Sequence, residues 1–65
     1  NSIYSALQLI RQDPMMLYSF LNMKLRDQYA SLDELCDDLD LPKEEILEKM
    51  KMVGFEYDAH HNKFW

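Results

Sequence analysis

The sequence has few of the residues that staple or bend small proteins: among 65 positions there are one cysteine, one glycine and two prolines. A lone Cys36 excludes an internal disulfide framework and a thiolate zinc cluster, and it points to a reducing compartment. Cys36 shares the i, i+3, i+4, i+7 spacing of one helix with Leu32, Leu35 and Leu39, which assigns it to a core as a small apolar residue. A single glycine leaves no material for a glycine-rich phosphate loop. Neither a nucleophile elbow nor a His-Glu-x-x-His pair occurs, so no enzyme and no cofactor are expected. No stretch approaches the ~18 apolar residues of a membrane span, and no apolar run follows a basic start as in a signal peptide. The expectation is a cytoplasmic protein without membrane contact.

Bases are missing from one region altogether. Residues 31–40 hold Asp33, Glu34, Asp37, Asp38 and Asp40 without a lysine or arginine, while elsewhere seven acids face seven bases. One segment therefore carries the whole net charge of −5.

What is present is apolar and helix-forming. The composition is 48% hydrophobic with eight aromatic residues, far from that of a disordered segment. A chain this short makes one domain and buries only about 60% of the surface its unfolded state exposes. Within residues 1–12, Ile3, Leu7 and Ile10 fall on one helical face beside Tyr4, so this stretch reads as a short helix or as an extension outside the fold. Asp13-Pro14 follows, with Asp13 as an N-cap and Pro14 as the first residue of a helix predicted over Pro14–Tyr29. That helix has two apolar stripes, Leu17, Leu21 and Leu25 on one side and Met16, Phe20 and Met23 on the other.

Ser31-Leu32-Asp33-Glu34 has the form of a capping box and starts a helix ending near Leu39. The turn Asp40-Leu41-Pro42 needs a positive φ, which Asp40 tolerates better than most residues. A further helix from Lys43 places Ile46, Leu47, Met50 and Val53 on its core face, and Gly54 suits its left-handed cap. After Gly54 the period changes from 3.6 to 2. Phe55 and Tyr57 share a side, Asp58 to Asn62 supply turn chemistry, and Lys63-Phe64-Trp65 return as a second strand. The predicted fold is mainly α, with three to four helices, a helix-turn-helix and a C-terminal β-hairpin, the single domain occupying residues 13–65.

The span from Ser31 to the hairpin resembles a winged-helix domain. A second resemblance rests on the run Asn22-Met23-Lys24-Leu25-Arg26-Asp27, on Tyr29, Ser31-Leu32-Asp33, Leu35-Cys36 and Asp38-Leu39-Asp40, and on the ending Gly54-Phe55-Glu56-Tyr57 with Asn62, Phe64 and Trp65. These residues look like a family of very short bacterial proteins catalogued only as a domain of unknown function. That resemblance implies a bacterial cytoplasmic protein, and it brings no activity, ligand or partner with it.

Chemistry must then be weighed from the residues. A helix-turn-helix suggests DNA, yet the exposed side of the helix after Lys43 shows Glu44, Glu45, Glu48, Lys51 and Met52, and the hairpin contributes Lys63 as its one lysine. Phosphate neutralisation needs the opposite balance, so DNA binding ranks second. The acidic run lacks the glycine of a calcium loop and reads as a solvated helix face, with Asp33 and Glu34 favouring the helix N-terminus. Adjacent His60 and His61 belong to an exposed turn rather than to a zinc site. A core this small has no room for a pocket of about 300 Å³, so no small-molecule substrate is expected. Lys24 and Arg26 either contact a partner or offset the acidic helix. Met15, Met16, Met23 and Met52 lie wholly or partly off the main core stripes, Met16, Phe20 and Met23 together exceed what one hairpin can readily cover, and methionine suits adaptable surfaces. The reading is a non-catalytic interaction module whose candidate interface is Met16, Phe20, Met23, Lys24, Arg26 and Met52, facing a protein partner or a second copy, with a winged-helix transcriptional regulator as the alternative.

Overall fold

A computed structural model describes Gln8, Arg11 and residues 13–65. Among residues 13–65 the elements are three helices, α1 (Pro14–Asp27), α2 (Leu32–Leu39) and α3 (Lys43–Met52), then a hairpin of β1 (Tyr57–Asp58) and β2 (Lys63–Phe64). The short helix or extension expected over residues 1–12 falls outside the described residues apart from Gln8 and Arg11, both in helical conformation.

Each helix begins and ends for a local reason. Asp13 caps α1, its Oδ1 accepting from the Met15 N–H at 2.9 Å, and Pro14 sits in the first turn, where a missing N–H costs little. The helix stops at Asp27, two residues earlier than the spacing predicts. Gln28 leaves helical conformation at φ −129°, and the Gln28 and Tyr29 N–H groups both donate to the Lys24 carbonyl. Ser31 caps α2 by accepting from the Glu34 N–H at 3.1 Å. Asp40 ends it at φ 56°, so that the Asp40 and Leu41 N–H groups share the Cys36 carbonyl. The end of α3 forms a Schellman motif, with Gly54 at φ 91°, its N–H on the Lys51 carbonyl and the Phe55 N–H on the Met50 carbonyl.

The three leucines of the first stripe of α1 meet Leu32, Leu35, Cys36, Leu41, Ile46, Met50 and Phe64 in one core. Burial of each Leu or Ile contributes roughly 1.5–3 kcal/mol against leaving it in water. Val53 departs from expectation. It is 42% exposed, because α3 has already ended and Val53 belongs to the cap. Phe55 departs too: it stacks on Tyr18 of α1 with ring centroids 4.0 Å apart, and the first strand begins only at Tyr57.

The antiparallel hairpin pairs Tyr57 with Phe64 and Asp58 with Lys63, extended by the backbone pair Glu56–Trp65. Two-residue strands do not hold themselves together in water. What fastens them is a set of side-chain amides reaching between hairpin and helix, taken up next. No helix among the described residues is long and apolar enough to cross a membrane.

Candidate functional site

Two asparagines join the hairpin to α1. Asn22, on the flank of α1 next to the leucine stripe, donates from Nδ2 to the Phe64 carbonyl at 2.9 Å and accepts on Oδ1 from the Phe64 N–H at 2.8 Å, so its amide acts as a short third strand beside β2. Asn62, at φ 53°, donates from Nδ2 to the carbonyls of Leu25 and Tyr29 at 3.0 and 2.9 Å. These carbonyls lie at the end of α1, where helical partners run out. The Tyr57 hydroxyl donates to Asn62 Oδ1 at 2.6 Å and accepts from the Leu32 N–H at 3.1 Å, the first N–H of α2. One relay thus satisfies the end of α1 and the start of α2 together. Among the described residues no buried side-chain polar atom lacks a partner.

The hairpin held in this way closes one side of an open groove of about 610 Å³ against α1. Ser19, Met23 and Arg26 come to it from the helix, His61 and Lys63 from the hairpin. Asp58 orders the turn: its Oδ1 accepts from the His60 and His61 N–H groups, and its Oδ2 takes His61 Nδ1 at 2.7 Å. The imidazole bond, chiefly, holds the Asp58 carboxyl below the usual carboxylate range. Lys63 Nζ lies 4.0 Å from the centre of the Trp65 ring, and the Trp65 and His61 rings are 4.9 Å apart.

A second groove, of about 410 Å³, lies where Pro14 approaches Met52 and Val53, with Glu45, Glu48 and Lys49 around it. Both grooves are larger than the pocket the small core was expected to hold, because they form between elements at the surface rather than inside the core.

The six candidate interface residues do not form one patch. Met52 is 81% exposed and belongs to the Pro14 groove, whereas Met23 and Arg26 border the hairpin groove. Met16 is 57% exposed on α1. Phe20 is half-buried and packs against the core, with Lys24 Nζ 5.7 Å from its ring and also donating to Gln28 Oε1 at 3.1 Å. Arg26 is paired with its neighbour, Nε and Nη2 each donating to an oxygen of Asp27 at 2.8 and 3.0 Å, which raises the Arg26 pKa and lowers that of Asp27. Solvent screens such an exposed pair, so it adds little to stability. Cys36 is buried in the core, and burial pushes its thiol pKa up, as for an inert apolar residue.

Asn22, Asn62 and Tyr57 organise this region, yet nothing in the sequence pattern marked them as a set. All three do lie among the residues on which the resemblance to the short-protein family rests. The family described as Domain of unknown function (DUF4250) matches residues 11–64. The chain belongs to that family. Neither a curated protein nor a solved structure matches it. The DUF4250 match takes in all three helices and the hairpin, including both asparagine clamps.

Proposed function

We propose that this domain is a non-catalytic interaction module that seats a basic, amphipathic helical segment of a partner on the apolar face shared by the start of α1 and the end of α3. The observation that carries the reading is the gathering of Met52 and Val53 beside Pro14. Both belong to the six large apolar side chains open to solvent among the described residues. Methionines repack around varied partners at small cost. The rim supplies Glu45 and Glu48 against a single Lys49, and the chain's net charge of −5 has the same sign, so a partner bearing Lys or Arg beside its apolar anchors fits best. A second copy would bring its own charge of −5 against the same sign.

The order α2, turn, α3 and hairpin supports the winged-helix-like reading, and with it the alternative of a bacterial cytoplasmic regulator that binds DNA. Against that alternative, Glu44, Glu45 and Glu48 are exposed on α3 with Lys51 among them.

The test is titration of the isotopically labelled chain, followed by NMR, with a helical peptide of leucines and lysines and with its leucine–glutamate counterpart. The basic peptide is expected to shift the amides of Lys49, Met52 and Val53 saturably, and the acidic one to leave them unmoved. Shifts confined to residues 31–40, or equal effects of both peptides, contradict the proposal. Saturable binding of duplex DNA that weakens steeply with salt would establish the regulator instead.

A further inference from the structure

The two strands of the hairpin differ in what becomes of their outward backbone groups. The bonds exchanged by Glu56 and Trp65 put Tyr57 and Phe64 in the non-exchanging pair of the antiparallel ladder, so the N–H and C=O of both residues point away from the opposite strand. On the β2 side Asn22 takes both groups of Phe64. On the β1 side no described residue bonds the N–H or the carbonyl of Tyr57, and the hydrogen bonds of this residue run through its hydroxyl instead. A strand edge that offers a donor and an acceptor side by side is a template for a further strand.

That edge borders a groove of about 340 Å³, lined from α3 by Lys43, Leu47 and Lys51 and from the approach to β1 by Phe55 and Glu56. Its charges balance. Lys43 Nζ is paired with Asp33 Oδ1 at 2.6 Å, and Glu56 offsets Lys51. Selection therefore falls to the residues that would stand directly opposite those of β1, since opposed residues of an antiparallel ladder share a face. The Tyr57 ring is on the core side, 5.4 Å from that of Phe64, so a residue opposite Tyr57 turns its side chain towards Leu47. Its two neighbours stand on the other face, opposite Glu56 and Asp58.

A second copy of the chain fits this edge badly. Antiparallel pairing about a two-fold axis through the Tyr57 groups sets Glu56 against Asp58 of the other copy, Glu56 against Glu56 or Asp58 against Asp58, according to register, and like charges directly opposite are destabilising.

We infer that the free edge of β1 adds one antiparallel strand from an extended segment of a partner, in which a β-branched apolar residue stands between two lysines or arginines. The apolar residue gives its N–H to the Tyr57 carbonyl, accepts the Tyr57 N–H on its own carbonyl and sets its side chain towards Leu47. The flanking bases meet Glu56 and Asp58. Main-chain bonds supply the attachment and the alternating side chains the choice of partner, and the hairpin gains on this edge the support that Asn22 gives it on the other.

The experiment is an NMR titration of the full chain with a capped pentapeptide Thr-Lys-Val-Lys-Thr, with the same peptide N-methylated at valine and with Thr-Glu-Val-Glu-Thr, repeated on E56Q. The lysine peptide is expected to shift the Tyr57 amide saturably, in the millimolar range or below, and to slow its hydrogen exchange. N-methylation removes the main-chain donor while keeping side chains and charge, and should abolish binding. The glutamate peptide should bind about tenfold more weakly, and E56Q should reduce that preference to about threefold. Glu56 is exposed, and folding of the variant is read from the same spectra. No saturable shift at Tyr57, or equal binding of the N-methylated peptide, would overturn the inference. A glutamate peptide matching the lysine one would overturn the part assigned to Glu56 and Asp58. A Tyr57 amide that moves with protein concentration alone would give the edge to a second copy instead. The helix-binding face is read separately at Met52 and Val53, so either surface can fail without the other.

Discussion

The hairpin-facing flank of α1 is joined to its neighbour atom by atom, Asn22 taking both backbone polar groups of Phe64 while Asn62 reaches back to the Leu25 and Tyr29 carbonyls, whereas the flank turned away from the hairpin leaves Met16 standing in solvent. Both flanks border the same leucine stripe. A domain this small has little apolar surface to spare, and strands of two residues cannot hold a hairpin by their own ladder. Directional bonds to otherwise orphaned backbone groups do that work on one flank. On the other flank Phe20 still packs against the core, while Met16 stays exposed and is open to an interaction.

The comparison breaks most visibly at Asn62. Replacement by alanine strands two carbonyls and the Tyr57 hydroxyl donor and puts at φ 53° a residue that tolerates the left-handed region less well than asparagine, so chemical denaturation should show a loss of about 3 kcal/mol. Asn62→Gly removes the backbone strain and should recover about 1 kcal/mol of that loss, isolating the amide's share. Next in size is Asn22→Ala, at about 2 kcal/mol from the two unpaired groups of Phe64. On the other flank, Met16→Gln should stay within about 0.5 kcal/mol of the parent by the same assay. A methionine variant as costly as Asn22→Ala would erase the distinction between the flanks.

Much of the architecture was legible in the residues, because caps and stripes are local signals. Asp13-Pro14, the Ser31 hydroxyl, Asp40 in the left-handed region and Gly54 each acted where spacing placed them. What the sequence concealed was long-range and polar. Asn22 and Phe64 are 42 positions apart, and an asparagine in mid-helix has no periodicity to betray a partner. For the same reason the end of α1 was read two residues late: the groups that terminate it include an amide from the far end of the chain. The candidate interface was legible only as a set of surplus apolar residues, since one helix wheel cannot show that Met23 and Met52 border different grooves.

Smaller effects sharpen the account. Asp40→Gly should stabilise the domain by about 1 kcal/mol, because glycine adopts φ 56° without the β-carbon penalty and the α2 cap bonds are all from backbone. Asp58 gives a pH signature. Its folded pKa is depressed, so protonation disfavours the ordered turn; the contribution is complete above about pH 4 and is lost as the pH falls through the lower folded value. Emission of Trp65, whose ring adjoins His61, should change over that acidic range in the parent and not in Asp58→Asn.

The central claim is that side-chain amides, rather than the strand ladder, fasten the hairpin to the helices. Native-state hydrogen exchange at the Phe64 and Leu32 amides tests it most directly, since their acceptors are Asn22 Oδ1 and the Tyr57 hydroxyl. Both amides should exchange only with global unfolding in the parent. In Asn22→Ala the Phe64 amide should exchange by local opening while the core amides of α1 remain protected. A Phe64 amide that is unprotected in the parent, or equally protected in Asn22→Ala, would contradict the account.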